Sequence, residues 1–487
     1  MPDRDQARRG GKERMELRMI RQLIVMQSEG AGDISDGPRL PTAGLTAIEA
    51  RLRALLAEDD AGRWRVLSVP DESWRVRLTQ RLPEPPPPLN ELVVSIECTD
   101  SADVELFRRA VDHANARARA QDKTQPFKAV GADIALSQSE FFCPTNPDQL
   151  LFGDRDIARR LTGADALGEQ GLTGRGVNVV VIDQGFDARL VKNFGGGLAN
   201  GDVEPGSTRR GHGPMMVRNI ADAAPDAMFY DVPLLPARIG DVTGFISTAL
   251  HVFYLLDALI AYLRQLPVPQ WKGPWVLVNA WSIFDRSSEH PRGDYTERRD
   301  HPLNAIVGTI GAAADIVFAA GNCGQFCPDR RCGKADVGPG SSIFGANSHP
   351  DVLTVGAVRT DARWAGRSSQ GPGQPQLSRH KPDLCAPSYF REVGADAFAG
   401  NVDGAFLSND GPPYLASTGT SAACGLAAGI VAAIRSGCDQ TSVSPGQLRQ
   451  LLNDHARKVE GPSWNGQLGH GIINVEDALA ALSDTSA

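Results

Sequence analysis

The sequence predicts an α/β protein, with a mostly parallel sheet covered by helices on both faces and a small N-terminal α+β domain. From about residue 150, short apolar runs bounded by Gly, Asp or Pro alternate with helix-like segments. Such runs are typical of parallel strands that are buried on both faces. The length of 487 residues also favours more than one core.

The large domain is expected over residues 150–485, where strands and helices alternate. We expect strands over 177–183, 227–232, 275–280, 315–322 and 351–358, and helices over 244–266 and 302–314. In such a sheet, the loops that leave the carboxyl ends of the strands form the ligand crevice. Polar residues in these loops are therefore the first candidates for a functional site.

The residues before the large domain predict three further regions. Residues 1–40 predict a flexible or marginally helical segment, 41–125 a small α+β domain and 126–149 a linker. Periodicity within the small domain predicts helix 46–60, strands 63–70, 73–82 and 91–99, and helix 101–121. Ser101 or Asp103 is the expected cap of the second helix, and the prolines at 83–88 predict a stiff spacer.

Composition and charge narrow the classes of function. The chain has 50 basic and 58 acidic residues, a net charge of −8, and 41% hydrophobic residues. This balance is ordinary for a soluble globular protein and argues against a nucleic-acid partner. No run approaches the ~20 apolar residues of a membrane helix, and the charged N-terminus lacks the apolar block of a secretory signal. The sequence therefore favours the cytoplasm and no membrane partner, with secretion left open.

The cysteines give a weak signal. Eight cysteines are too few for a disulfide scaffold. Cys323, Cys327 and Cys332 form a C-x3-C-x4-C pattern, which is not a common zinc spacing and lacks a fourth ligand. A loop with reduced thiols or one disulfide is favoured over a metal site, and the other cysteines are expected in the core.

Four polar residues lie where a crevice would need them, although each alone has an ordinary explanation. Asp183 ends a strand and suits a turn better than a catalytic acid. His212 lies between two glycines, which leave open space around a general base, but a loop histidine without a role is commoner. Asn322 follows a strand and suits either a turn or an oxyanion donor. Ser421 begins an Ala- and Gly-rich helix, where an N-cap is a simpler explanation than a nucleophile.

Seven motifs occur in the order that is found in subtilisin-like serine proteases, the subtilase family. The sequence resembles that family over residues 145–485, in the motifs VVVIDQGFD, GHGPMMV, APDAMFYDV, DIVFAAGN, KPDLCAP, STGTSAACGLAAGIVAA and GHGIINVEDALA. The resemblance implies a subtilisin-like fold and a serine endopeptidase that acts on proteins or peptides. It implies Asp183 as orienting acid, His212 as general base, Ser421 as nucleophile and Asn322 as oxyanion donor, in the chain order Asp, His, Ser.

The resemblance also bears on cofactors and control. It implies no required cofactor, and structural calcium is left open although the sequence does not indicate it. Subtilases often carry an N-terminal propeptide that blocks the cleft, so residues 41–125 are expected to be a propeptide or, alternatively, a permanent recognition domain. Inhibition by this region or activation by a regulatory protein partner is the expected form of control.

The sequence departs from the family pattern at several places. Gln184 follows the acid where Thr or Ser is common, and residues 214–216 and 422–425 differ from the usual sequences after the His and the Ser. None of these changes removes a reacting group. Trp281 and Phe284 lie where the family lines its substrate cleft, and the sequence does not decide whether they narrow the cleft or pack in the core.

Other functions are less favoured. His470, in a second Gly-His-Gly, is a rival base that we expect to be structural. The sequence contains no H-E-x-x-H metalloprotease motif. No phosphate-binding glycine loop follows a predicted strand. A catalytically silent scaffold that keeps the fold and binds protein partners is the alternative from a different class. Retention of all four reactive groups argues against it.

Overall fold

The computed structural model describes residues 19–27, 45–56, 61–70, 74–138, 151–201, 203–235, 244–392, 415–458 and 463–485. Its strands are β1 (Ile20–Gln27), β2 (Trp64–Ser68), β3 (Trp74–Leu78), β4 (Glu91–Cys98), β5 (Phe127–Ala132), β6 (Ala135–Gln138), β7 (Asn178–Asp183), β8 (Asn193–Asn200), β9 (Met228–Pro233), β10 (Gly244–Phe245), β11 (Trp275–Asn279), β12 (Trp281–Ser282), β13 (Asp315–Ala319), β14 (Leu353–Val358), β15 (Leu384–Pro387), β16 (Phe390–Glu392) and β17 (Leu415–Ser417). Its helices are α1 (Leu45–Leu56), α2 (Ser101–Ala120), α3 (Arg155–Thr162), α4 (Asp165–Glu169), α5 (His212–Ala223), α6 (Ile246–Gln265), α7 (Pro269–Lys272), α8 (Pro302–Gly311), α9 (Gly419–Arg435), α10 (Pro445–Asp454) and α11 (Val475–Thr485).

The largest sheet runs in the order β15-β14-β13-β11-β7-β9-β8-β3 among the strands described. Every pairing in it is parallel except that of β3 with β8, which is antiparallel. The chain passes from β7 to β8 and β9 on one side and then to β11 on the other. The carboxyl end of β7 therefore lies at a topological switch point, where open α/β sheets bind ligands.

The sheet separates two apolar cores. Along β7, Val179 and Val181 join the core formed with α5 and α9, while Val180 and Ile182 join the core formed with α6 and α8. Successive side chains of a strand point to opposite faces, so burial on both faces requires the continuous apolar run seen here. The predicted α/β class, with helices on both faces of a mostly parallel sheet, is confirmed.

Helix α6 corrects one expectation about apolar runs. Over Ile246–Gln265 it is long and apolar enough to cross a membrane by length and composition, whereas we expected no such run. In the structure 61% of the apolar 18-residue stretch of this helix is buried inside the protein. Leu250, Phe253 and Leu256 belong to the core beside the sheet. It packs as a core helix.

The N-terminal unit is a second, antiparallel sheet in the order β2-β4-β1-β5. Helices α1 and α2 cover one face, around Phe107 and Val94. The other face, through Leu23 and Val93, packs on the core of α6 and α8. The cap of α2 is Asp100, whose side chain accepts a hydrogen bond from Asp103 N at 3.0 Å; the expected caps, Ser101 or Asp103, were wrong.

Three boundaries differ from the sequence-based expectation. Part of the segment expected to be flexible, 1–40, forms β1, whose residues 22–26 are buried because β4 and β5 flank it on both sides. Part of the expected linker, 126–149, forms β5 and β6. Strand β3 belongs to the large sheet and not to the small domain. These pairings join residues far apart in sequence, which local patterns do not reveal; the rest of 1–40 and 139–149 lies outside the described residues, apart from Met19.

Candidate active site

An acid and an imidazole meet at the switch point of the large sheet. Asp183 is the last residue of β7 and His212 the first residue of α5, and they are 1% and 2% exposed. His212 Nδ1 lies 2.8 Å from both carboxylate oxygens of Asp183. A carboxylate only accepts hydrogen bonds, so this pair holds the proton on Nδ1 and leaves Nε2 as the basic nitrogen.

Gln184 holds the backbone of His212. Its side-chain oxygen Oε1 accepts a hydrogen bond from His212 N at 2.9 Å, so it satisfies a donor at the start of α5, which has no side-chain cap of its own. A Cβ at Gly211, where φ is +113°, would lie 2.6 Å from that oxygen. The residue that departs from the family pattern thus positions the backbone of His212, a role that the sequence did not suggest.

Ser421 lies in the first turn of α9, which packs along α5. A Cβ at Gly425 would lie 3.2 Å from Met216 O, and a Cβ at Gly429 would lie 2.6 Å from Ile220 O. Between these two contacts, α9 and α5 each advance by four residues toward their C-termini. The two helices therefore run parallel. One turn earlier, Ser421 and His212 lie side by side at the two helix N-termini. The glycines allow this close approach.

The side chain of Ser421 is fully buried, and its Oγ has no hydrogen-bond partner among the described residues. The structure thus joins Asp183 to His212 and sets Ser421 beside them, without an Oγ–Nε2 hydrogen bond. Catalytic hydrogen bonds are often long before substrate binds. Rotation of one side-chain torsion moves a serine hydroxyl between three staggered positions.

Asn322 is held directly against the start of α9. Its Oδ1 accepts hydrogen bonds from Thr420 N at 3.0 Å and from Thr420 Oγ1 at 3.1 Å. Thr420 Oγ1 in turn accepts one from Gly321 N at 3.1 Å. These bonds fix the orientation of the amide, with its oxygen directed at Thr420, the residue before Ser421. Thr420, which the sequence analysis passed over, therefore orients the expected oxyanion donor.

The last strand of the N-terminal unit lies in a groove of the large domain. Strand β6 pairs antiparallel with β10 on one side and with β12 on the other. Leu136 faces Gly244, and Gln138 faces Trp281. The side chain of Trp281 is buried against Phe318, with ring centres 5.0 Å apart. Trp281 therefore packs in the core, and only its backbone lines the groove.

The loop after Asn322 is closed by a disulfide. Cys323 and Cys332 are bonded, and Cys327 is a free, exposed thiol. Among the described residues, no group of three or more His, Cys, Asp or Glu side chains is placed to hold a metal ion. Arg331 of this loop lies 4.1 Å above the ring of Phe284 and donates to Gln138 O at 3.1 Å. Phe284 thus packs beneath the guanidinium group of Arg331 at the end of the groove.

His470 lies in a turn against another part of the chain. Its backbone N donates to Asp383 O at 2.7 Å, and its carbonyl accepts from Lys458 Nζ at 3.2 Å. These contacts connect the C-terminal segment to the turn before β15. They give His470 a structural place, as expected, while His212 has the carboxylate partner.

A buried carboxyl that the sequence analysis did not single out lies beside Asp183. Asp231, in the middle of β9, accepts hydrogen bonds on Oδ2 from Gly206 N at 2.7 Å and Phe186 N at 3.2 Å. Burial raises the pKa of Asp231 to about 7, and the charge of Asp183 adds to the rise. A charged residue inside an otherwise apolar strand was the available signal.

Asp231→Asn is expected to change how stability depends on pH. The pKa of Asp231 is higher in the folded than in the unfolded chain, so the folded chain binds more protons and wild-type stability falls as pH rises from about 4 to 7. The variant lacks this loss, so its stability relative to wild type should rise over that window by a few kcal/mol at most, on the order of the shift. Urea unfolding at several pH values in a Ser421→Ala background measures it.

The exposed substitution Asp165→Asn is the control for Asp231→Asn, since the Asp165 side chain is 53% exposed. Its stability should follow the wild-type pH profile. A constant difference between Asp231→Asn and wild type from pH 4 to 8 would contradict the assignment of a raised pKa to Asp231.

Comparison with known proteins places the chain in a family. The model of the Subtilase family matches residues 174–471, more than half of the chain. Bacillopeptidase F of Bacillus subtilis (strain 168) is 27% identical over 180 residues, which are 35% of this chain and 11% of that protein. The chain therefore spans only a small part of that relative's length.

The fold is shared with a solved structure. Fervidolysin from Fervidobacterium pennivorans, described as a keratinolytic enzyme related to subtilisin, superposes with a TM-score of 0.54 at 16% identity. The match covers 95% of this chain and 61% of that one. MycP1 from the ESX-1 type VII secretion system has a TM-score of 0.45 at 19% identity, over 71% of this chain and 90% of that one. By the match of its residues 174–471, the chain belongs to the subtilase family of serine-type peptidases.

Proposed function

We propose that this chain is a serine endopeptidase that cleaves peptide bonds through Asp183, His212 and Ser421. The observation that carries the proposal is the buried pair of Asp183 and His212, 2.8 Å apart. The pair lies at the N-terminus of a helix that packs along α9, whose first turn contains Ser421. A buried carboxylate, an imidazole and a hydroxyl in this chain order form the triad of subtilase chemistry.

The reaction proceeds in two halves. His212 Nε2 takes the proton of Ser421 Oγ as that oxygen attacks the peptide carbonyl carbon, and Asp183 stabilises the imidazolium that forms. The proton then passes to the leaving amine, the C–N bond breaks and an acyl-enzyme remains. Water attacks the ester, His212 again accepts a proton, and the carboxylic acid product leaves with Ser421 restored.

The oxyanion is stabilised from two sides. The NH2 end of Asn322 supplies one donor, and the backbone N–H of Ser421, in the first turn of α9, supplies the second. The positive end of the helix dipole favours the developing negative charge. Because Thr420 holds the Asn322 amide in place, these donors need little rearrangement as the charge forms.

The N-terminal unit serves as an internal inhibitor in this proposal. Its strand β6 pairs with β10 and β12, and an extended peptide substrate would use the same backbone groups. Leu136 is buried where a substrate side chain would lie. The substrate is thus an extended segment of a protein or peptide, and a segment of the same chain competes with it. Activation by a separate protein partner stays a prediction.

The test is hydrolysis of an unfolded protein by the purified chain after a cut between residues 138 and 151, because the uncut chain is expected to be inhibited. Wild type should release peptides, and Ser421→Ala should not. If neither releases peptides after the chain is cut between 138 and 151, the proposal fails. The alternative, a silent scaffold, is not favoured, since the chain keeps the reacting groups of its family.

Location and cofactors stay predictions. The cytoplasm was favoured from the N-terminal sequence, but disulfides such as that between Cys323 and Cys332 are typical of oxidising compartments, which weighs against it. We propose that the reaction needs no metal or organic cofactor, because the triad and two amide donors supply the chemistry.

A further inference from the structure

Part of the N-terminal region is built into the sheet of the large domain. Strand β3 pairs antiparallel with β8 from Trp74 opposite Asn200 to Leu78 opposite Gly196. Strands β2 and β4, which precede and follow it in the chain, belong to the N-terminal sheet. The chain therefore leaves the N-terminal unit, adds an edge strand to the large sheet and returns.

The edge of β8 is shaped for this strand. A Cβ at Gly196, where φ is +99°, would lie 2.0 Å from Arg77 O and 2.7 Å from the Cα of Leu78. Any other residue at this position would collide with the backbone of β3. A glycine is therefore needed at position 196 when β3 lies against it, whereas an open sheet edge would leave room for a side chain.

The side chains of β3 alternate as in an integral strand. Trp74 is buried in the same core as Leu198 and Tyr230 of the large domain, and Val76 and Leu78 pack against it. Arg75 and Arg77 point to solvent. A strand that added only backbone hydrogen bonds would not need an apolar inner face.

A proline-rich strap continues from β3 across the large domain. Leu82 packs on the core beside α6, and Glu84 O accepts a hydrogen bond from Tyr262 Oη at 2.8 Å. The prolines at 83–88 favour a stiff extended backbone, which loses little entropy when it is held in place. The chain then enters β4.

The second attachment lies elsewhere. Strand β6 pairs with β10 and β12, whereas β3 pairs with β8 at the far edge of the large sheet. A third contact joins the two bodies through Arg108 and Asp294, 2.7 Å apart. Cutting the chain after β6 would release the end of β6 but would leave β3 and its strap unchanged.

We propose that residues 74–90 anchor the N-terminal unit as a permanent subunit of the large domain, independently of the strand in the groove. A cut between residues 138 and 151 then frees residues 135–138 to leave the groove while the N-terminal fragment stays bound. The inference rests on the proposed function only in taking this groove as the substrate site. The strand that occupies the edge of β8 is thus part of the N-terminal fragment of the same chain.

The register shows which backbone groups to remove. Thr79 N donates to Gly195 O at 3.1 Å, so residues 79 and 195 are a hydrogen-bonded pair. Such pairs alternate along an antiparallel ladder, so the N–H of Arg77 also points at β8. Arg77→Pro removes that donor, and Arg77→Ala removes only the exposed side chain, whose ion pair with Glu204 is at the surface.

The experiment uses the full chain with Ser421→Ala and a protease recognition sequence inserted between 138 and 151. After complete cutting, gel filtration at low micromolar concentration should show both fragments in one peak. Amide hydrogen exchange of the cut protein should keep the amides that face β8, those of Arg75, Arg77 and Thr79, protected. Exchange at 135–138 should become at least about tenfold faster, the effect of losing on the order of one hydrogen bond.

The variants separate the two attachments. Arg77→Pro should release the N-terminal fragment at least about tenfold faster than Arg77→Ala, because a buried acceptor loses its partner. Leu136→Glu, which disrupts the strand in the groove, should leave the fragments together. Separation of the fragments in the parent, or loss of protection at the amides of Arg75, Arg77 and Thr79 after cutting, would overturn the proposal.

These readouts do not depend on catalysis. If the chain proves inactive as a peptidase, the fragments should still elute together, and the anchor stands. If the chain is active but the fragments separate, the anchor is wrong and the proposed function is untouched. Should Arg77→Pro fail to fold, the exchange measurement on the parent still decides.

Discussion

His212→Ala is expected to lower kcat for peptide hydrolysis by about 100,000-fold, the size of effect that removal of a triad member has. Without the imidazole, Ser421 loses the base that is proposed to accept its proton and to return one to the leaving amine. The Asp183 carboxylate would then be buried with its main partner lost. Hydrolysis of a fluorogenic peptide, followed with the cut chain, measures the loss.

The matched control is His470→Ala, which removes the histidine of the other Gly-His-Gly. That side chain is partly exposed, and the contacts of His470 described above are made by its backbone, which alanine keeps. Activity should stay within about twofold of wild type, since surface changes cost little. Equal loss in both variants would point to a folding effect, and loss only in His470→Ala would reverse the assignment of the base.

Asn322→Ala is expected to lower kcat by about a hundredfold to a thousandfold with little change in KM, the usual cost of removing one oxyanion donor. The amide binds the oxygen most strongly when it carries negative charge, so its loss affects the transition state more than substrate binding. Initial rates over a range of peptide concentrations separate kcat from KM.

Asn322→Asp is the shape-matched companion. It keeps the volume and an acceptor for Thr420 N and Oγ1, but it replaces the donor with a second acceptor that can be charged. Its kcat should be at least as low as that of Asn322→Ala. A rise in KM with kcat unchanged in both variants would show that Asn322 binds substrate and does not stabilise the oxyanion.

The parallel core of the protein was predictable because its strands carry their own signal. Strands β7 and β13 are buried on both faces, which requires continuous apolar runs, and Asp183 and Asn322 follow directly from where those runs end. The order of the motifs around His212 and Ser421 then supplied the candidate site residues. These are features that a local stretch of sequence contains in full.

The N-terminal boundaries were not predictable in this way. Strand β1 includes Arg21, whose charge interrupts the apolar pattern, and its partner Asp133, at 3.3 Å, is far away in sequence. Strand β3 alternates like any half-buried strand, and nothing local distinguishes pairing with β8 from pairing with β2. Pairing across more than a hundred residues is set by the tertiary fold.

The supporting residues of the site were missed for a related reason. Gln184 and Thr420 act through hydrogen bonds to His212 N and Asn322 Oδ1, and neither bond leaves a spacing rule in the sequence. Gln184 was visible only as a departure from the family pattern. Its contact with His212 N forms only when α5 packs against the loop after β7, which is a feature of the tertiary fold.

The most direct test of Ser421 as an activated nucleophile is labelling with a fluorophosphonate, followed by mass spectrometry to locate the modified residue. On the chain cut between 138 and 151, we expect one label per chain, on Ser421, and labelling slowed by several orders of magnitude in His212→Ala. A label on another residue, or a His212→Ala variant labelled as fast as wild type, would contradict a site in which His212 activates Ser421.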